Sequence, residues 1–153
     1  MLIAATLIAC FLSGVLAGID LDSVVVRFPA WRHLGSHAWA TYSREADLGN
    51  GIVLYPLLAI GHTLLIIAVV FGVRQNGPFQ ALAAAYSATG LAIAGLLLTA
   101  GAAPVMLGLK RIGNDPVALD NALRAFARWS TFRAVAQVLA FIATLDLLVR
   151  VSA

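Results

Sequence analysis

The sequence predicts an all-α integral membrane protein that folds as a four-helix bundle. Of its 153 residues, 61% are hydrophobic and 11% are charged, whereas a soluble domain is about 45–50% apolar and about one quarter charged. Four stretches also approach or exceed the roughly 20 apolar residues that a helix needs to cross a bilayer. This composition excludes a soluble globule, a disordered chain and a nucleic-acid-binding module. We therefore expect a single transmembrane domain over residues 1–153.

The four predicted crossings cover residues 1–19, 51–73, 79–107 and 132–151. Each is apolar on all sides and lacks the polar stripe of a helix in a soluble bundle. The third is longer than a bilayer requires, which predicts a tilted or protruding helix. No basic residue precedes the first crossing, as it would in a signal peptide, so we expect that crossing to be retained.

The basic residues predict the orientation, because four crossings place both termini on one side of the membrane. Arg74 and Arg150 lie on that side. The other eight lie in or beside the long connections: Arg27, Arg32, Arg44, Lys110, Arg111, Arg124, Arg128 and Arg133. The positive-inside rule therefore predicts cytoplasmic long connections and external termini. We expect the bacterial inner membrane as the location.

The two long connections differ in character. The first, residues 20–50, is an aromatic-rich loop with Phe28, Trp31, Trp39 and Tyr42. In the second, Asp115 and Pro116 predict the start of a helix. Apolar residues share one face of that helix, with Arg124 and Arg128 outside it. This pattern predicts a basic amphipathic helix that either lies on the membrane surface or runs directly into the fourth crossing.

Small residues and prolines predict how the crossings pack. Small side chains let helices approach closely in lipid, and they recur at Gly14 and Gly18, at Ala84 and Ala88, and at Gly90 and Ala94. They indicate packing within one bundle or a homodimer seam. Pro56 and Pro104 each remove a backbone hydrogen bond. They predict either a pocket at the long-connection end of the bundle or ordinary prolines that the membrane tolerates.

His62 lies near the middle of the second crossing, where an ionisable side chain is costly. Three roles are open: a structural histidine bonded to a neighbouring hydroxyl, an acid–base or ligand-binding group, or a metal or haem ligand. Ser13, Ser87 and Thr89 reach similar depth and could supply the hydroxyl, with Tyr86 one turn away.

The spacing of His33 and His37 places both on one face if the first connection is helical. With Glu45 or Asp47 they could hold a metal ion; otherwise they are polar residues of an interfacial loop. A phosphate-binding glycine loop, H-E-x-x-H and G-x-S-x-G are all missing from the sequence, so no cofactor is predicted. Asp146 and Arg150 predict an ion pair at the opposite membrane face.

Residues 39–47 precede the second crossing and have two interpretations. They form either an aromatic belt with charges that extend to water, or a lid that stacks on a flat ligand and offers Arg44 to an anionic oxygen. Trp129 and Arg133 lie at the start of the fourth crossing and would approach the same rim.

Three segments resemble the anthrone-oxygenase-like family of small four-helix membrane proteins. They are residues 39–61 (WATYSREADLGNGIVLYPLLAIG), 103–109 (APVMLGL) and 128–143 (RWSTFRAVAQVLAFIA). Members of that family often carry an Asn shortly after the proline that ends the third crossing, whereas two apolar residues follow Pro104 here.

The resemblance implies a pocket for a flat aromatic or polycyclic ligand, and it suggests cofactor-independent oxygenation of a phenolic substrate. In that reaction His62 would be the base, and Arg44 or Arg133 would stabilise the anion. Residues assigned to ligand binding are Trp39, Tyr42, Tyr55, Tyr86, Met106 and Trp129. Two alternatives stay open: a non-catalytic accessory subunit of a larger membrane complex, or a metal or haem carrier that uses its histidines.

Overall fold

The computed structural model describes residues 1–153, and nearly all of them are helical, without strands. The helices are α1 (Leu2–Asp22), α2 (Phe28–Leu34), α3 (Ser36–Glu45), α4 (Gly51–Asn76), α5 (Ala81–Ile112) and α6 (Pro116–Ser152), with a π-helical turn, Ser23–Arg27, between α1 and α2. Four helical stretches are long and apolar enough to cross a membrane: α1 extended through α2, and α4, α5 and α6. The predicted all-α membrane bundle is confirmed.

The long helices form a closed ring in which α6 packs against α5 and α1, and α4 packs against the same two helices. Alanines on α5, among them Ala84 and Ala88, are buried where α4 and α6 approach, as their spacing predicts. Gly14 lies against the ring of Phe141, and a Cβ built on this glycine would be only 3.1 Å from that ring. Gly18 and Gly90 face no neighbour within 4 Å and so make no close helix contact.

The first connection is helical, not the predicted loop. After α1 the chain continues through the π-helical turn into α2, and Gly35, with a φ of 91°, ends that helix. A positive φ suits glycine because it has no Cβ. Gly35 separates His33 on α2 from His37 on α3, so the two histidines lie on different helices, and both are exposed. The expectation that they share one helical face is wrong.

The second connection settles an alternative that the sequence leaves open. The side chain of Asp115 accepts a hydrogen bond from the backbone N–H of Val117 at 3.0 Å, which caps the start of α6. The helix then runs for 37 residues without a break. The basic amphipathic segment therefore continues directly into the fourth crossing. Near the far end, Arg150 and Asp146 form the expected ion pair at 2.8 Å.

An aromatic cluster closes the end of the bundle that carries the long connections. It consists of Phe28, Trp31, Trp39, Tyr42 and Phe126, whose ring centroids lie 5.7–6.4 Å from those of their neighbours. Tilted and edge-to-face pairs at such distances are favourable beyond the area that they bury. The cluster joins α2 and α3 to α6.

Candidate functional site

A cavity of about 330 Å³ lies among α1, α4, α5 and α6, beneath the aromatic cluster. Most of its lining is apolar and includes Leu16, Ile52, Ala102 and Met106. Small side chains on α4 and α5 leave the volume open. Pro56 is in the wall, so the cavity lies at the end of the bundle where the prolines predict a pocket.

The cavity has a charged side formed by Asp20 on α1 and Arg133 on α6. Arg133 donates to the Asp20 carboxylate through Nη2 at 2.7 Å and through Nε at 2.9 Å. The Asp20 side chain is 5% exposed and that of Arg133 is 18% exposed. A buried charge needs such a partner, because desolvation is otherwise uncompensated. The predicted anion-binding Arg133 therefore reaches the cavity with its charge already balanced.

A second arginine in the wall, Arg27, is also paired. Its Nε donates to Asp22 at 2.5 Å, its Nη1 donates to the hydroxyl of Tyr42 at 3.3 Å, and its guanidinium lies 5.8 Å from the centre of the Tyr42 ring. These contacts fix the guanidinium at the mouth of the cavity.

Asp47 is the lining carboxyl that has no ion-pair partner. It lies in the turn between α3 and α4 and is partly buried. Burial raises the pKa of this carboxyl above its ordinary value, and the side chain of Ser43 with the charges of Arg27 and Arg133 opposes the rise only in part. Asp47 is thus the group at the mouth most ready to take up a proton or to accept a hydrogen bond.

At the inner end of the cavity the polar residues are Gln137 and Thr99. Gln137 lies one helical turn beyond Arg133 on α6 and is 2% exposed, and its Oε1 has no hydrogen-bond partner in the protein. The Thr99 hydroxyl donates to the backbone carbonyl of Gly95 at 2.9 Å. One buried acceptor is therefore left unsatisfied beside an apolar space.

Three of the site residues proposed from the sequence line the cavity: Arg133, Tyr55 and Met106. The four other aromatic candidates do not. Trp39 is fully buried inside the aromatic cluster, whereas Tyr86 is 51% exposed on the outer face of α5. Each side chain lies on a face of its helix that does not point toward the cavity.

The remaining two aromatic candidates have packing roles. Tyr42 is 42% exposed and accepts the hydrogen bond from Arg27. Trp129 covers Gly101 on α5, where a Cβ would lie 3.0 Å from the indole ring. Aromatic residues of the first connection therefore contact one another and the neighbouring helices, and Trp31 alone among them lines the cavity.

Arg44 is placed at the carboxyl end of α5, outside the cavity. Its guanidinium donates to the carbonyl of Leu109 at 3.1 Å, to the carbonyl of Gly113 and to the side chain of Asn114. The last carbonyls of a helix have no partner within the helix, and a cation there also interacts favourably with the helix dipole. In this position Arg44 caps α5 and holds α3 against it.

His62 is 1% exposed, and its Nε2 has no hydrogen-bond partner. Ala59, one turn earlier on α4, lines the cavity, but His62 does not. The expected hydroxyl bond is not formed: Thr89 donates to the carbonyl of Ala85, Ser87 is exposed, and the buried hydroxyl of Ser13 is itself unpaired. The imidazole lies inside the bundle, just beyond the cavity.

The three histidines are not assembled into a metal centre. The fold brings together no group of three or more histidine, cysteine, aspartate or glutamate side chains suited to hold a metal ion. A carrier that uses His33, His37 and His62 together would need another arrangement of the chain.

The sequence alone did not indicate Asp20, Arg27 or Gln137 as site residues, and it indicated Asp47 only as a possible metal ligand. Acidic residues beside a crossing add little to the prediction of orientation, so Asp20 received no role. Gln137 carried a usable signal, because a buried amide within a crossing is as unusual as His62 and indicates an interior position.

A second concavity, of about 490 Å³, lies outside the bundle between α2 and α6. Arg32, Arg124 and Arg128 line it, and Arg124 pairs with Asp120 at 2.6 Å. These arginines are exposed, so this is a solvated basic surface. The apolar cavity among the crossings is the better candidate site.

No family model, curated protein or solved structure matches this chain. The resemblance to the anthrone-oxygenase-like family stays a prediction.

Proposed function

We propose that this membrane protein binds a small hydrophobic ligand in the cavity beneath the aromatic cluster. The observation that carries the proposal is an apolar space of about 330 Å³ with a few polar groups at its two ends. Ligand sites in proteins are commonly about 300–1,000 Å³ and combine apolar walls with a small number of polar groups that orient the ligand.

The aromatic side chains of the wall favour a flat ligand. Trp31, Tyr55 and Phe126 belong to different helices, and all three line the cavity. Aromatic rings pack well against one another in offset or edge-to-face arrangements. A ring system of moderate size would therefore gain contacts that a branched aliphatic molecule of the same volume would not.

The electrostatics of the cavity favour a neutral ligand. Arg133 is paired with Asp20, and Arg27 is paired with Asp22, so neither cation needs an anion from the ligand. A charged ligand would have to be desolvated without compensation in the apolar part of the cavity.

Cofactor-independent oxygenation of a phenolic substrate is a further proposal, suggested by the family resemblance. A base must come within hydrogen-bond reach of the proton that it removes. His62 lies beyond the wall, whereas Asp47 is in it, so Asp47 is the base to test first. Incubation of the purified protein with an anthrone, with and without oxygen, tests the activity. An oxygen-dependent product no faster than in buffer would contradict it.

Binding is tested with 2-naphthol and the protein in nanodiscs, with protein-free nanodiscs subtracted for partition into lipid. We expect saturable binding by the wild type. Ala103→Phe, which fills part of the cavity, should weaken binding by about tenfold or more. Ala83→Phe makes the same change on the exposed face of α5 and should bind as the wild type does. Absence of saturable binding by the wild type, or equal binding by both variants, would overturn the proposal.

A non-catalytic accessory subunit stays the main alternative function. It requires a partner that covers part of the exposed apolar surface. Purification in mild detergent, followed by a mass measurement, distinguishes a single chain from a homo-oligomer or a larger complex.

A further inference from the structure

The inner end of the cavity holds a polar group that the protein itself does not satisfy. Gln137 is 2% exposed and lines the cavity, and its Oε1 has no donor within reach. An unpaired buried acceptor is costly, because it has lost its hydrogen bonds to water without gaining a partner in the protein. Such a group therefore indicates either a structural weakness or a site that a ligand completes.

The neighbouring helix makes room for the Gln137 amide. A Cβ on Gly95 would lie 2.7 Å from Nε2 and 3.1 Å from Cδ of Gln137. Real side chains do not tolerate the shorter of these separations, so glycine at this position allows the amide to lie directly against the backbone of α5. That contact fixes one side of the amide and helps to hold it in place beside the cavity.

We propose that Gln137 recognises the hydroxyl group of a phenol-type ligand, whose ring occupies the apolar part of the cavity. The Oε1 atom accepts a hydrogen bond from that hydroxyl. This inference rests on the proposed function, and it adds the residue that recognises the ligand and the direction in which the ligand enters, with its hydroxyl at the inner end.

Other ligand groups suit the inner end less well. A ligand group that only accepts hydrogen bonds, such as an ether or a ketone, cannot donate one to Oε1. A cationic amine would need a carboxylate beside it, and the nearest lining carboxylate on that side, Asp20, is already bonded to Arg133. The Thr99 hydroxyl already donates its one hydrogen bond to the backbone carbonyl of Gly95, so toward a ligand it too can only accept. The Nε2 end of the Gln137 amide lies against Gly95, so a neutral donor is the group that Gln137 Oε1 and the Thr99 hydroxyl oxygen can both bind.

The test compares 2-naphthol with 2-methoxynaphthalene, which has the same rings but no hydroxyl proton. We expect the wild type in nanodiscs to bind 2-naphthol about five- to tenfold more tightly, after the partition of each probe into protein-free nanodiscs is subtracted. Gln137→Met keeps the length of the side chain without the amide. It should bring the two affinities to within about twofold of each other.

The outcomes separate the two proposals. Equal affinity of the wild type for both probes, or a preference for 2-naphthol that persists in Gln137→Met, overturns the role of Gln137 and leaves the ligand-binding function standing. Saturable binding of neither probe to the wild type overturns both.

A stability measurement and two further variants control for loss of structure and for the close contact with Gly95. Gln137→Met removes an unsatisfied acceptor, so without ligand it should be at least as stable as the wild type. Gly95→Ala should displace the amide and reduce the preference for 2-naphthol, whereas Gly90→Ala, on the same helix with no neighbour within 4 Å, should leave it unchanged. An unaltered preference in Gly95→Ala would contradict the role of the close contact.

Discussion

Arg133 and Asp20 join the last crossing to the first across the wall of the cavity, through three hydrogen bonds of 2.7, 2.9 and 3.2 Å. They are 113 positions apart in the chain. The pair therefore fixes the relation of α6 to α1 at the depth where the cavity begins, and its effect on stability can be measured.

Loss of one partner should destabilise the bundle strongly. For Asp20→Asn or Arg133→Leu we expect a fall of about 3–5 kcal/mol in the free energy of unfolding, because one buried charge is left without its partner. The measurement is denaturant unfolding in detergent. Asp20→Asn combined with Arg133→Leu should cost less than the sum of the two single changes; additive effects would contradict the coupling. The exposed pair of Asp146 and Arg150 is the control, and its loss should cost far less than the loss of the buried pair.

Arg44 should behave as a structural residue. Arg44→Ala removes the donors that cap the end of α5, so we expect a loss of about 1–3 kcal/mol in stability. The affinity for 2-naphthol, measured in nanodiscs, should be unchanged. Lys110→Ala, at an exposed position of the same helix end, is the matched control. If Arg44→Ala lost binding without losing stability, the predicted lid that offers Arg44 to a ligand would be favoured.

The stability of the protein should depend on the protonation of Asp47. Burial raises the pKa of this carboxyl in the folded state, so folding favours the protonated form. Stability should therefore decrease as the pH rises from about 3.9, the ordinary value of aspartate, through the higher value of the folded protein. Asp47→Asn should be more stable than the wild type at neutral pH, and this advantage should disappear below about pH 4.

Denaturant unfolding as a function of pH checks the prediction for Asp47. Glu45→Gln, which changes an exposed carboxyl two positions away, is the matched control. An advantage of Asp47→Asn that stays constant from pH 4 to pH 7 would show that the effect does not arise from titration of the carboxyl.

His62 gives a prediction that separates binding from catalysis. Its Nε2 bonds to no protein group, so His62→Leu should not lower stability, and the affinity for 2-naphthol should stay within about twofold of the wild type. The Gln137→Met variant provides the contrast, because it should lose the preference for the hydroxyl probe. If the protein oxidises an anthrone and His62→Leu abolishes that activity while binding persists, the histidine is the base after all.

The crossings and the start of α6 could be predicted because each depends on local sequence. Apolar length decides which helices span a bilayer, and the Asp115–Pro116 pair sets the helix start by its own chemistry. The helical course of residues 23–45 was missed because aromatic and charged residues interrupt it. Gly35 is the one break in that segment, and it separates His33 from His37, the two histidines considered as metal ligands.

The cavity residues were harder to predict, because a crossing that is apolar on all sides does not reveal which face points inward. Tyr55 and Tyr86 look equivalent in the sequence, yet one lines the cavity and the other is half exposed. Trp39 was assigned to a ligand but contacts other rings instead. Such choices are made by packing between distant helices, which a local pattern does not contain.

The unbroken course of α6 has a consequence for where the protein sits in its membrane. At 1.5 Å per residue its 37 residues measure about 55 Å, against a hydrocarbon thickness of about 30 Å. Apart from Val117 in its first turn, its large exposed apolar side chains lie from Phe132 onward, and Arg124 and Arg128 precede them. The remaining length of about 25 Å therefore projects into water on one side of the membrane only. This projecting part of α6 supports α2 and α3, and it places the cavity beneath them at the boundary between lipid and water.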